Sequence, residues 1–164
     1  MLKLKQPSTH LLIQLIVWLF VADQASKWVA THYLLYAQPV PVLPFLNWTL
    51  LHNPGAAFSF LSDAGGWQRW FFTTVSFVVS GVFFVWLLRT PITQGLMRYS
   101  LALIIAGAVG NLLDRVRLGY VVDFISVHWQ NTYFFPAFNI ADSAITVGAT
   151  LMIIDILLNK EADK

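Results

Sequence analysis

The sequence predicts an all-α membrane protein, with four transmembrane helices and a small extracytoplasmic β-rich cap. Three observations carry that prediction. Of 164 residues, 57% are hydrophobic and only 11% charged, whereas a soluble domain carries about 25% charged residues. Four segments are long and apolar enough to cross a hydrocarbon core, for which about 20 residues suffice: 11–30, 67–88, 97–114 and 137–158. The basic residues are also unevenly placed, with no Lys or Arg between 31 and 66.

The first segment follows Lys3 and Lys5 in the manner of a signal peptide. It lacks an A-x-A cleavage site and continues through Trp28 to Ala30, so it is read as retained. Arg89 and Arg98 flank the short connection between the second and third segments, and Lys160 and Lys164 follow the fourth. The positive-inside rule therefore places both termini and this connection in the cytoplasm, with 31–66 and about 115–136 outside. Arg115 and Arg117 on the outer side run against that bias. The stretch 31–66 has short apolar runs between prolines and turn residues, which suits short strands. Such backbone must lie at the headgroups or pack on protein, because lipid cannot satisfy it. No repeat or linker divides the chain, so 1–164 reads as a single integral membrane domain.

Composition also excludes several chemistries. Without cysteine there are no disulfides, thiolate metal sites or thiol nucleophiles. A formal net charge of +2 gives no basis for nucleic-acid binding. His10, His32, His52 and His128 show no zinc-protease spacing, and no metal or other cofactor is expected. Ser26 and Lys27 are adjacent, and helix neighbours point in different directions, so they form no catalytic pair. Ser126 and His128 fall on one side of an extended segment, but His128 beside Trp129 reads more simply as an interfacial pair.

The acidic residues carry the functional signal. Asp63, Glu161 and Asp163 lie in loops or the tail, whereas Asp23, Asp114, Asp123, Asp142 and Asp155 lie in or beside apolar sequence. A carboxylate at membrane depth is costly and is by default a functional candidate. Asp23 and Lys27 fall in the outer half of the first segment, and Asp114 at the outer end of the third. Asp123 falls in the outer connection, and Asp142 about 7 to 8 Å below the start of the fourth segment. Asp155 lies about 20 Å deeper, and it reads as an inner-interface residue partnered by Lys160 or Asn159.

Asn139 and Asp142 are spaced i and i+3, as are Asn111 and Asp114, with Arg115 at i+4 from Asn111, so each set shares a helix face. Small residues Ala106, Gly107, Ala108 and Gly110 on one segment and Ala141, Ser143 and Ala144 on the other let the two faces approach. Two facing carboxylates share a proton, and one can act as base toward water while the other acts as acid. Spacing alone leaves Asp114 and Asp123 as equal partners for Asp142. Taken singly, Asp123 reads as a surface acid, Asn53 and Gly55 as a turn, and Asn111 and Asn139 as interhelical glue. Rival readings are a proton or ion relay, which requires polar groups through the full depth, and a non-enzymatic lipoprotein-assembly subunit.

The stretches DQASK (23–27), HNPGAAFSF (52–60), GAVGNLLDR (107–115), VVDFI (121–125) and FNIADSAITVG (138–148) together resemble the bacterial lipoprotein signal peptidases, or signal peptidase II. They occur in the family's order and span the chain from the first segment to the fourth. The resemblance implies an intramembrane aspartyl endopeptidase of the bacterial inner membrane, with its site near the outer face. It implies cleavage of diacylglyceryl-modified prolipoproteins just before the lipidated cysteine, and inhibition by globomycin-type cyclic peptides. It further implies Asp123 and Asp142 as the catalytic pair, supported by Asn53, Gly55, Asn111, Asp114, Arg115, Asn139, Asp23 and Lys27. On that mapping Asp114, beside Arg115, belongs to a structural network.

Overall fold

The computed structural model describes residues 6–55, 67–130 and 132–162. Lys3, Lys5, Asp63, Asp163, Lys164 and the 56–66 part of the expected cap, including most of HNPGAAFSF, lie outside the described residues. Four helices form: α1 (Thr9–Tyr33), α2 (Trp67–Arg89), α3 (Gly95–Arg117) and α4 (Ile140–Ala162). All four are long and apolar enough to span a membrane. Most run past the predicted limits because the apolar core sets only a minimum length, while helical bonding continues into the interface. Thus α1 starts at Ser8, whose hydroxyl accepts from the Leu11 N–H at 3.2 Å.

Only α4 begins later than expected, at Ile140 rather than 137. Asp142 is therefore in its first turn, about 3 Å along the axis from the first helical residue instead of 7 to 8 Å. The physical reason is local. Phe138 is held extended by paired backbone bonds with Ile125, N–H to carbonyl at 2.9 and 3.0 Å, so the helix cannot start before Asn139.

Helix α3 is the hub, with α1, α2 and α4 all packed against it. Its residues Leu101 and Ala102 are fully buried and form a core with Leu12 of α1 and Leu87 of α2. Elsewhere the outward faces are apolar, with Trp18 70%, Phe77 69% and Ile153 59% exposed. A water-soluble protein rarely presents so much contiguous apolar surface, and lipid is the solvent that accepts it.

At the end of the bundle away from the termini lies one antiparallel sheet, ordered β1 (Val40–Leu43), β2 (Leu46–Asn53), β3 (Val121–Trp129), β4 (Tyr133–Phe134). The β-rich cap is thus confirmed, but it draws half its strands from the connection between α3 and α4. Asp123, expected in a loop, is on β3 opposite Leu51 of β2. The run VVDFISVHW is rich in β-branched and aromatic residues, and most of it is buried. Burial on both faces hides the alternation that would mark an exposed strand.

Close helix packing positions the site. A Cβ on Gly110 would lie 2.6 Å from Asp23 Oδ2, and one on Gly107 would collide with the Ala141 carbonyl. Nothing lies within 4 Å of a Cβ on Gly81. Gly110→Ala should therefore cost about 1 to 3 kcal/mol through overpacking, while Gly81→Ala should leave stability unchanged or raise it by up to about 1 kcal/mol. Thermal unfolding of the detergent-solubilised protein checks this, and equal behaviour of the two variants would refute the packing account.

Candidate active site

The polar side chains at the sheet end of the helices form two connected groups. The first centres on Lys27 of α1, which is 3% exposed. Its ammonium lies 2.9 Å from Asp23 Oδ2 and 2.8 Å from Asp114 Oδ2, and donates to Asn111 Oδ1 at 2.9 Å. Asp23 Oδ1 in turn accepts from the Ala141 N–H at 2.9 Å, satisfying a donor in the first turn of α4. Asp114 Oδ2 accepts from the Val122 N–H of β3 at 3.3 Å. Gln24 adds donations to Asp23, Asp114 and the Gly110 carbonyl, at 3.1, 3.1 and 3.2 Å.

The second group centres on Asn139, which is fully buried. Its Nδ2 donates to Asp123 Oδ1 at 2.8 Å, to the Val122 carbonyl at 3.2 Å and to Asn111 Oδ1 at 3.3 Å. Asn139 and Asp142 also form a reciprocal helix cap. Asp142 N–H donates to Asn139 Oδ1 at 2.9 Å, and Asn139 N–H donates to Asp142 Oδ2 at 3.2 Å. This is the capping-box arrangement with Asn and Asp in the usual places of Ser and Glu. The i, i+3 spacing noted in the sequence is therefore the geometry of a helix start as well as of a shared face.

The remaining bonds to the two acids come from amides. Asn53 Nδ2 donates to Asp123 Oδ2 at 3.0 Å, and Asn111 Nδ2 to Asp142 Oδ1 at 2.8 Å. Gly55 N–H donates to Asn53 Oδ1 at 3.0 Å, which fixes the orientation of that amide. Arg115 neighbours Asp114 in the sequence, but its guanidinium donates to the carbonyls of Gly55, at 3.0 Å, and Asn111, at 3.4 Å. The cation paired with Asp114 is Lys27, 87 positions earlier in the chain (114 − 27). Spacing of three and four residues reveals only neighbours on one helix, so this pairing left no local signal.

Every candidate residue is thus brought into one network, and the acids divide into two kinds. Asp23 and Asp114 are ion-paired to Lys27. Among the described residues Asp123 and Asp142 have no ion pair and are bound by Asn53, Asn111 and Asn139 instead. Burial pushes the Asp123 carboxyl up to about 7, and the nearby Asp142 charge adds to the shift. The Asn53 and Asn139 hydrogen bonds and the Lys27 charge pull in the opposite direction. Asp155, thirteen residues beyond Asp142 on α4, is outside this group and accepts from Asn159 Nδ2 at 3.0 Å, one of its two expected partners. Gln24, next to Asp23, was missed by sequence reasoning although a polar side chain in an apolar helix is itself a signal.

Beside Asp142 a cavity of about 480 Å³ is lined by Asn53, Phe135, Phe138, Ser143, Ile145 and Thr146, among others. It is mostly apolar, with the carboxylate at its edge, which suits a substrate that is partly hydrocarbon.

The profile of the family described as signal peptidase (SPase) II matches residues 15–158. The chain belongs to the signal peptidase II family. It is 58% identical over 159 residues to the lipoprotein signal peptidase of Acinetobacter baumannii, covering 96% of this chain and 90% of that protein. It is 51% identical over 144 residues to the lipoprotein signal peptidase of Pseudomonas putida, covering 87% and 84%. A solved structure described as a bacterial membrane enzyme superposes with a TM-score of 0.87 at 32% identity, covering 98% of this chain and 95% of that one. This member of the signal peptidase II family is accordingly a membrane protease with four spanning helices and a small antiparallel sheet.

In this signal peptidase, Lys27→Met would leave two buried carboxylates without their cation. Breaking a buried ion pair from one side costs about 3 to 5 kcal/mol. The expected outcome is a large fall in thermal stability, with Asp23→Asn less damaging because Lys27 keeps Asp114. An unchanged melting temperature for Lys27→Met would show that the network does not hold the helices together.

Proposed function

We propose that the protein removes signal peptides from diacylglyceryl-modified prolipoproteins, cutting just before the lipidated cysteine, with Asp123 and Asp142 activating water. The observation that carries this reading is the division of the acids. Two carboxylates are bound through amides, with no cation paired to them among the described residues, beside an apolar cavity. An acid pair without a fixed counter-ion retains a proton, and the pair titrates as a unit. The ionised member takes a proton from water as the water oxygen attacks the scissile carbonyl carbon. The protonated member donates to the carbonyl oxygen. Collapse of the tetrahedral species breaks the C–N bond, and the cysteine nitrogen leaves with a proton from the pair. Asn53, Asn111 and Asn139 hold both carboxylates throughout, and Arg115 holds Asn53 indirectly through Gly55.

The lipoprotein substrate follows from the names of the relatives, and the cavity chemistry agrees with it. In the bacterial inner membrane, the distribution of Lys and Arg favours cytoplasmic termini and a site near the outer face. A relay would require polar groups in continuous contact through the bundle. The inner polar residues instead bind locally: Arg98 donates to the Pro7 carbonyl and Thr9 hydroxyl, and Asp155 accepts from Asn159.

Purified protein should cleave a diacylglyceryl-modified precursor and leave the unmodified precursor intact. Asp123→Asn and Asp142→Asn should each lower the rate by about 10²- to 10⁴-fold. Wild-type rates in either variant would sink the aspartate mechanism.

The pH dependence gives a separate check. Loss of the pair's shared proton in the free enzyme should lower kcat/KM as pH rises through a midpoint of about 7, the value to which burial and the Asp142 charge push Asp123. Asn53 stabilises the ionised form of Asp123, so Asn53→Ala should move that midpoint to higher pH. A midpoint moving down would refute this assignment.

A further inference from the structure

At the start of α2, Arg69 reaches across to the end of α3. Its Nε donates to the Arg115 carbonyl at 3.1 Å and its Nη2 to the Val116 carbonyl at 3.0 Å. These oxygens belong to the last turn of α3, where the Arg115 carbonyl also accepts from the Leu118 N–H at the C-cap. The Gly119 N–H shares the Arg115 carbonyl at 3.1 Å. A guanidinium is suited to this place, since its planar fork serves two acceptors and its charge opposes the negative helix end.

The corner that Arg69 closes is the one joining two halves of the site. On one side, α3 carries Asn111, Asp114 and Arg115. On the other, the chain turns at Gly119, with φ of +87°, and enters β3, which carries Asp123. A Cβ on Gly119 would lie 3.2 Å from Arg69 Nη1, so guanidinium and turn are in contact. One turn further along α2, the Phe72 ring lies 5.7 Å from the Arg115 guanidinium carbon. Arg115 is thus held by α2 at its backbone and at its side chain, while its own fork holds Gly55.

We infer that Arg69 is a positioning residue for the hydrolytic site, fixing the angle between the end of α3 and β3 and so the placement of Asp123 relative to Asp142. Asp142 is tied to α3 by Asn111, whereas Asp123 rides on the strand beyond the corner. Movement at the corner changes the distance between the two acids without touching either. A displacement of about 1 Å at reacting groups lowers rates by up to about 10²-fold.

The inference rests on the Asp123–Asp142 reading and is tested in the same cleavage assay with the full-length protein. Arg69→Gln removes the fork and the charge, and Arg69→Lys keeps a cationic donor. Gly119→Ala loosens the corner from the other side, through its positive φ and its contact with Arg69. For Arg69→Gln and Gly119→Ala, kcat should fall about tenfold or more, with KM within about twofold of wild type. Burial and the neighbouring Asp142 charge both raise the Asp123 midpoint. A loosened corner weakens both, so the alkaline midpoint of kcat/KM should drop by about half a pH unit or more. Arg69→Lys should recover part of both losses.

A midpoint identical to wild type in Arg69→Gln and Gly119→Ala overturns the inference. So does a loss of rate that matches the loss of folded protein by thermal unfolding, with midpoint and KM intact. Failure of the underlying reading shows separately, as undiminished cleavage by Asp123→Asn.

Discussion

The ammonium of Lys27 has three hydrogens, and three oxygens on two side chains of acid and one of amide take them: Asp23, Asp114 and Asn111. These partners lead on to two further elements, α4 and β3. Asp23 binds the first turn of α4, Asp114 binds the backbone of β3, and Asn111 binds Asp142. Lipid offers no replacement for any of these contacts, so the network is satisfied internally or not at all. Its energetic weight is mainly conditional. A complete buried pair contributes little beyond an apolar substitute, but an incomplete one is strongly unfavourable. The effect is to make one relative arrangement of α1, α3, α4 and β3 much better than its neighbours.

Among the described residues, that arrangement leaves the second acid pair without a cation. Lys27 is fully engaged by the first group, and Arg115 is turned toward carbonyl oxygens. Among the described residues, Asp123 and Asp142 therefore meet only neutral donors at hydrogen-bond distance, which orient both carboxyl groups. The Asn139 side chain does this for both acids at once, one through Nδ2 and the other through the helix cap. An ion-paired network and a pair of amide-bound carboxyls thus share one small volume because Lys27 is spent on the first.

Much of this was legible in the sequence. Hydropathy located all four helices, and the i, i+3 pair Asn139 and Asp142 was recognised before its role as a helix cap was visible. The small residues of α3 marked the face that α4 approaches, where Gly107 and Gly110 leave no room for a Cβ. What could not be read were contacts between distant parts of the chain. Lys27 and Asn111 are 84 residues apart, Asp23 and Ala141 118. Spacing ranked Asp114 and Asp123 equally, and the family resemblance separated them. The structure supplies a physical basis, since Asp114 is the one paired to Lys27. The strand character of β3 was hidden for another reason: with both faces buried, its sequence is continuously apolar around one aspartate.

The same helix geometry that places Asp142 also orients the cavity beside it. Asp142, Ile145 and Thr146 are spaced i, i+3 and i+4, so the carboxylate and two of the groove's walls lie on one face of α4. Phe135 and Phe138 close that face from the segment leading out of the sheet. A substrate with hydrocarbon next to its scissile bond can then bring both to the enzyme from a single direction, sideways out of the lipid. On the proposed function, its backbone would meet Asp142 where α4 begins, at the level of β3 and Asp123. The late start of α4, imposed by the pairing of Phe138 with Ile125, is what brings these two levels together. Had α4 begun at 137, Asp142 would lie about 4.5 Å further along its helix, away from the strand that carries Asp123.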